Sequence, residues 1–419
     1  MTEPGSTERL LAEAERYSAH NYEPLPVVLE RGEGCWVWDV EGRKYLDMLA
    51  SYSALNQGHR HPRVLAALEA QTARLTLTSR AFHNDQMGPF LRELCEATGF
   101  EVALPMNTGA EAVETAIKAA RKWGYRKKGV PEGRAEIIAC ENNFHGRTTT
   151  IVGFSSEPSY RDGFGPFTPG FKLIPYGDEV ALQEAITDHT VGFLVEPLQG
   201  EGGVVVPPDG WFGRCVEICR SRGVLVLNDE IQTGLGRTGR LFCGDWDGER
   251  GDILIVGKAL GGGVYPVSAI LAPGDIMDVF TPGDHGSTFG GNPLGAAVAR
   301  EALRVILEED LPARADELGN WFMERLRAID SPHVEEVRGR GLMIGVVIRE
   351  GSGTARPFCE SLMERGILAK ETHEQVIRFA PPLVVTREEL EWALPSIEAV
   401  VRGESLSATH QYQGEPCQA

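Results

Sequence analysis

Between about residues 85 and 300, short apolar runs alternate with stretches of helical periodicity. The runs at 136–140, 191–196, 224–227, 253–256 and 267–271 are rich in Val, Ile and Leu and lack polar alternation. That is the pattern of strands covered on both faces. Residues 180–186 and 211–222 carry helical spacing between them, and an apolar face of Val113, Ala116, Ile117 and Ala120 marks another helix. The alternation predicts an α/β fold with a large domain built on a mostly parallel central sheet. An amphipathic helix near 8–18 and a hairpin over 27–38, continuing to 45–48, precede it.

Asn292-Pro293 opens a long helix to about residue 310, since Asn caps well and Pro suits the first helical position. Beyond it, strands at 334–337, 343–348 and 376–379 mix with helices at 356–365 and 387–401, the last with the capping-box pair Thr386 and Glu389. The organisation predicted is an N-terminal segment (1–50) packing with a small α+β domain (301–402), a large domain (51–300) and a polar, disordered tail (403–419).

The chemistry lies where apolar runs end. Ile253-Leu-Ile-Val-Gly-Lys-Ala-Leu-Gly-Gly-Gly263 delivers Lys258 just past one run, and Gly223-Val-Leu-Val-Leu-Asn-Asp-Glu230 delivers Asp229 at the end of another, 29 residues earlier. Ligands of open α/β sheets bind at the carboxyl ends of the strands. A lysine and a carboxylate there suit pyridoxal 5'-phosphate (PLP): the amine condenses with the aldehyde, and the carboxylate keeps the pyridine nitrogen protonated. A snorkelling lysine and a turn-capping aspartate would leave the same trace, so the neighbouring turns carry weight. Asn107-Thr-Gly-Ala-Glu111 opens a helix with free amides suited to a phosphate. Phe144-His-Gly-Arg147 offers a ring for stacking and a fork for a carboxylate. Glu196 and Glu201 flank a Gly-rich turn, as an acid/base pair or as salt-bridge partners. Gln232 lies one helical turn beyond Asp229, and Ser287 and Thr288 occupy a loop of small residues.

Composition narrows the options. A net charge of −19 argues against nucleic acid and anionic membranes as partners, and no apolar run approaches the ~20 residues of a membrane span. The acidic N-terminus has no leader character, so a cytoplasmic location is expected. Eight scattered cysteines without a CxxC pair suit a reducing compartment. Cys215 and Cys219 read as buried helix residues, and no metal is expected.

Longer stretches make the set specific. Ala19-His-Asn-Tyr-Glu-Pro-Leu-Pro26, Tyr52-Ser-Ala-Leu-Asn-Gln-Gly-His59, Met106-Asn-Thr-Gly-Ala-Glu-Ala112, Asp229-Glu-Ile-Gln-Thr-Gly234 and Ile377-Arg-Phe-Ala-Pro-Pro382 resemble the class III, fold-type I PLP-dependent aminotransferases, and within them the ornithine-using branch. The similarity runs over about 17–402. It implies transfer of the δ-amino group of L-ornithine to 2-oxoglutarate by a homodimer, or larger homo-oligomer, with shared active sites. It also implies Lys258 as Schiff-base lysine and proton shuttle, Asp229 at the pyridine nitrogen, Gln232 at the ring hydroxyl and Phe144 on the ring. Gly109 and Ala110 would hold the phosphate, with Thr288 reaching it from the partner subunit. Arg147 would hold ornithine's α-carboxylate, with Tyr22 and Tyr52 lining the cleft. Arg378 would hold the α-carboxylate of glutamate or 2-oxoglutarate, masked by Glu201 while ornithine is bound. Acetylornithine or 4-aminobutyrate as donor, and a non-catalytic binding protein on this scaffold, are the alternatives. Asn228 and Gly203 replace alanines usual in the family, which predicts modest effects on cofactor tuning.

Overall fold

The computed structural model describes residues 6–404, so the tail predicted from 403 lies almost wholly outside the described residues. Fifteen strands form three sheets among them. The first strands are β1 (Leu29–Glu33), β2 (Trp36–Asp39) and β3 (Lys44–Asp47). The central ones are β4 (Val102–Met106), β5 (Glu136–Cys140), β6 (Phe171–Ile174), β7 (Thr190–Val195), β8 (Leu225–Asp229), β9 (Ile253–Val256) and β10 (Ser268–Ala272). The last are β11 (Val334–Arg340), β12 (Met343–Ile348), β13 (Ile367–Leu368), β14 (Lys370–Thr372) and β15 (Val376–Phe379).

The seven-stranded sheet has the order β4-β10-β9-β8-β7-β5-β6. β9, β8, β7, β5 and β6 run parallel, and β10 is antiparallel to both β9 and β4. Every residue of β7, β8 and β9 is buried, as uninterrupted apolar runs require. Alternation sorts them onto two faces. Ile137, Ala139, Leu194 and Leu227 pack against Val113, Ala116, Ile117 and Ala120 of the helix Gly109–Trp123. Ile138, Cys140, Phe193 and Val226 pack against Trp211, Phe212, Cys215 and Cys219 of the helix Trp211–Ser221. The paired cysteines are thus core residues, and no metal-binding group occurs among the described residues.

Two four-stranded sheets complete the chain, β1-β2-β3-β13 and β11-β12-β15-β14. The parallel pair β3–β13 ties the N-terminal hairpin to the C-terminal third. Asn292 accepts from the Gly295 amide and starts the helix Pro293–Glu308, and the Thr386–Glu389 capping box starts the helix Arg387–Val401. A 17-residue helix, Leu311–Arg327, was not expected from the sequence. No described helix is long and apolar enough to cross a membrane.

The strand order fixes the place of the site. From β5 the chain passes to β6 on one side, then returns to β7 on the other. Loops diverge from such a switch point and leave a crevice at the strand ends.

Candidate active site

Four loops deliver side chains to that crevice: those after β5, β7, β8 and β9. Lys258 follows β9 at φ 45°, a left-handed conformation costly for a non-glycine residue. Burial, with help from the Arg378 charge and against the attraction of Glu201, Asp229 and Glu196, brings its ammonium down to about 8. Asp229 ends the adjacent β8, in register with Ile255 of β9, and is buried at 4% exposure. Its Oδ1 accepts from the Ile231 amide at 3.1 Å, and its Oδ2 lies 2.7 Å from His145 Nδ1.

His145, in the loop after β5, carries no role that the sequence alone marks. It is fully buried, and its Nε2 has no partner. Burial alone would lower its pKa, but the hydrogen bond and charge of Asp229, with Glu196, raise it overall. Glu196, after β7, accepts from the Phe144 amide at 3.0 Å. Burial, eased by His145 and reinforced by the Asp229 charge, pushes its carboxyl up to about 7. Asn228 points away from this group. Its amide lies near Glu230 and the Arg250 carbonyl, so its effect falls on the fold behind Asp229.

The turn after β7 holds Glu201. Gln199 and Val205 exchange backbone hydrogen bonds of 3.1 and 2.9 Å across it, and Thr372 of β14 donates to the Glu201 carbonyl at 2.7 Å. Gly203 sits at φ 107°, a conformation that strains residues with a side chain. Glu201 Oε1 accepts from Arg378 Nη1 at 2.6 Å and from Gln232 Nε2 at 2.9 Å. Burial opposes its charge, yet Arg378, Lys258 and Gln232 together hold its carboxyl down at about 2. Gln232 Oε1 is left without a partner. A Cβ on Gly200 would fall 1.6 Å from that oxygen, so the glycine makes room for the amide.

Arg378, on β15, is 1% exposed, and its Nε and Nη2 have no partner. The guanidinium carbon lies 4.9 Å from the centre of the Tyr52 ring. Tyr52 is carried on four successive non-glycine residues with positive φ, Ala50 to Ser53. Asp47 steadies the entry to this left-handed turn, accepting from the Leu49 and Ala50 amides at 2.9 Å each. Such a turn costs roughly 1–2 kcal/mol per residue, which its surroundings must offset.

Arg147 is exposed and makes no hydrogen bond or ion pair with any described residue. Its guanidinium carbon lies 3.4 Å from the centre of the Tyr160 ring and 5.4 Å from that of Phe144. Gly109 and Ala110 open the helix Gly109–Trp123, and their amides are first-turn donors left over by the Thr108–Glu111 capping box. Thr288 is exposed, and its neighbour Ser287 accepts from Asn107 at 2.9 Å. Tyr22 is also exposed, at 79%, though close enough to Tyr52 and Tyr160 to affect both electrostatically. The fold therefore gathers Lys258, Asp229, Glu201, Gln232 and Arg378 around one crevice, while Tyr22, Arg147 and Thr288 are open on the single chain.

The chain belongs to the class-III aminotransferase family, whose model matches residues 17–401. It is 57% identical over 395 residues to the ornithine aminotransferase of Brevibacillus brevis, covering 94% of this chain and 98% of that protein. Among solved structures it is similar to the ornithine aminotransferase of Toxoplasma gondii, with a TM-score of 0.94 and 48% identity over 96% of this chain and 95% of that one. It is also similar to the acetylornithine aminotransferase of Elizabethkingia anophelis, with a TM-score of 0.86 and 46% identity over 95% and 99% of the two chains.

The family's cofactor is PLP, and the T. gondii protein carries it at partial occupancy in its active site. The residues present fit it. A lysine with a readily neutralised amine, a buried aspartate, unfilled amides at a helix N-terminus and the unpartnered Gln232 oxygen face one crevice.

Proposed function

We propose that this chain is an ornithine δ-aminotransferase. It moves the δ-amino group of L-ornithine to 2-oxoglutarate in two half-reactions, giving glutamate 5-semialdehyde, which cyclises to pyrroline-5-carboxylate, and L-glutamate. The observation that carries this reading is the pair of arginines in opposite states, Arg378 masked by Glu201 and Arg147 open. One site must take an amine from the far end of one substrate and from the α-carbon of another. Both substrates bear an α-carboxylate, at different distances from the reacting nitrogen.

When bound, PLP supplies the electron sink for the carbon that bears the amine. The chain supplies the rest. Lys258 would hold the cofactor through its amine and would carry the proton taken from that carbon. Its lowered pKa keeps a useful fraction of neutral amine near neutrality. Asp229, backed by His145, would pair with the ring nitrogen. Phe144 would cover the ring, Gln232 would reach its hydroxyl, and Gly109 and Ala110 would hold the phosphate. Arg147 takes ornithine's α-carboxylate and so directs the δ-amine inward, with Tyr22 and Tyr52 lining the path. Glutamate's α-carboxylate takes Arg378 once Glu201 gives way, and the unfilled Nε and Nη2 are the donors it would use. Thr288, open on this chain, serves the phosphate of a second copy, so the working unit is at least a dimer. A cytoplasmic location completes the reading.

The test is a donor screen against 2-oxoglutarate with detection of pyrroline-5-carboxylate. Ornithine is expected to be the best donor. Preference for N-acetylornithine or 4-aminobutyrate would replace the reading with one of those activities.

A further inference from the structure

Arg147 differs from the other arginines of the site in what holds it. A charged side chain that must receive a carboxylate needs a fixed plane, yet no protein carboxylate or carbonyl fixes this one. Its close partners among the described residues are rings. Tyr160, on the short helix Pro158–Arg161, lies face-on to the guanidinium at 3.4 Å. Phe144 stands edge-to-face with Tyr160, their centres 6.4 Å apart and their planes at 84°. The Tyr160 ring is half-buried, and its hydroxyl makes no hydrogen bond with any described residue. The geometry suits one task. Stacking engages the face of a guanidinium and leaves its in-plane N–H donors free. A hydrogen-bonded anchor would occupy those same donors, as Glu201 does on Arg378.

We propose that Tyr160 is a positioning residue for the ornithine half-reaction: its ring face sets the plane of Arg147 and leaves the forked edge open to the substrate's α-carboxylate. The inference rests on the reading of Arg147 as that carboxylate's anchor. Phe144 buttresses Tyr160 from the side, so the group that covers the cofactor ring and the group that aims the substrate are one packed unit. Among the described residues no hydrogen bond, ion pair or ring contact joins this arrangement to Arg378, so the glutamate half-reaction should depend on it far less.

The experiment compares Tyr160→Leu, Tyr160→Phe, Arg147→Met and the Tyr160→Leu/Arg147→Met double variant as holoenzymes, with each half-reaction followed separately in single turnovers. A cation–aromatic contact of this kind corresponds to about 5- to 30-fold in binding. Tyr160→Leu should weaken the apparent affinity for ornithine by that factor, with a smaller change in the limiting rate. The glutamate half-reaction of the same protein should stay within about twofold, which also shows that the fold and the cofactor are intact. Tyr160→Phe keeps the face and should recover ornithine affinity to within about threefold of the parent. In the Arg147→Met background, Tyr160→Leu should add little, because its target is gone. Equal loss in both half-reactions, a Tyr160→Phe defect as large as that of Tyr160→Leu, or full additivity in the double variant would overturn the positioning role. If Arg147→Met itself spares ornithine, the anchor reading fails instead, and the two failures are distinguishable.

Discussion

Arg147 and Arg378 each lay a guanidinium against a tyrosine ring, Tyr160 at 3.4 Å and Tyr52 at 4.9 Å, yet only Arg378 meets a carboxylate. Their surroundings differ in the same sense. Arg378 sits on a strand, nearly inaccessible, with Glu201 pinned to it by Gln232 and by the tie from Thr372. Arg147 sits on a loop and is open to water. A buried arginine without a counter-ion is expensive, and Glu201 supplies one. An exposed arginine carries no such cost and can wait with its donors free. Burial thus goes with the presence of a counter-ion, and on the proposed function that counter-ion is the mask that would decide which substrate reacts through which end.

Removing what both seats serve gives the largest effect. Lys258→Ala should slow both half-reactions by on the order of 10²- to 10⁴-fold or more, with loss of the visible absorbance of lysine-bound cofactor. Near-parental turnover in either half would show that another group carries the proton.

Arg147→Met should split the comparison. A hydrogen-bonded charge pair contributes about 1.5–3 kcal/mol, roughly 10- to 150-fold in kcat/KM for ornithine. The exposure of Arg147 on the single chain favours the lower part of that range. Glutamate should be affected far less, and equal losses would place Arg147 outside the discrimination.

Capture of PLP by the apoenzyme reports the field between the two seats. Only the neutral amine attacks an aldehyde. With the Lys258 ammonium lowered from its ordinary value to about 8, the neutral fraction grows as pH rises towards 8 and is nearly complete above it. The capture rate should therefore climb about tenfold per pH unit below 8 and level off above. Stopped-flow absorbance checks this, and a rise continuing to pH 10 would mean an unperturbed lysine.

Much of this was legible in the residues. Strands β5, β9, β12 and β15 fall where their apolar runs lie, because doubly covered strands leave no polar alternation. Lys258 and Asp229 stood out for the same reason, since a charge at the end of such a run is conspicuous, and Glu201 stood out within the Gly-rich turn that follows β7. The direction of β10 was not readable, since an apolar run looks alike in either orientation. The helix Leu311–Arg327 escaped because it follows its predecessor after a single break, Asp310 in a left-handed conformation, and is rich in charge. His145 and Tyr160 escaped for a different reason. Each acts through a partner far along the chain or on another loop, Asp229 for one and Arg147 for the other, and no spacing rule encodes that meeting.

The central claim is that a replaceable mask on the buried arginine sets the regiochemistry, and Glu201→Ala tests it most directly. The measurement is single-turnover kinetics of the ornithine and glutamate half-reactions, with product analysis separating the δ-aldehyde from the α-keto acid. Because Arg378 and Lys258 hold the Glu201 carboxyl at about 2, the mask stays ionised throughout the working range, and one pH near neutrality suffices. With the mask gone, the glutamate half-reaction should accelerate, and ornithine should begin to react through its α-amine, giving the α-keto acid beside the δ-aldehyde. An unchanged glutamate rate together with an unchanged product ratio would contradict the account and leave Glu201 as a turn residue.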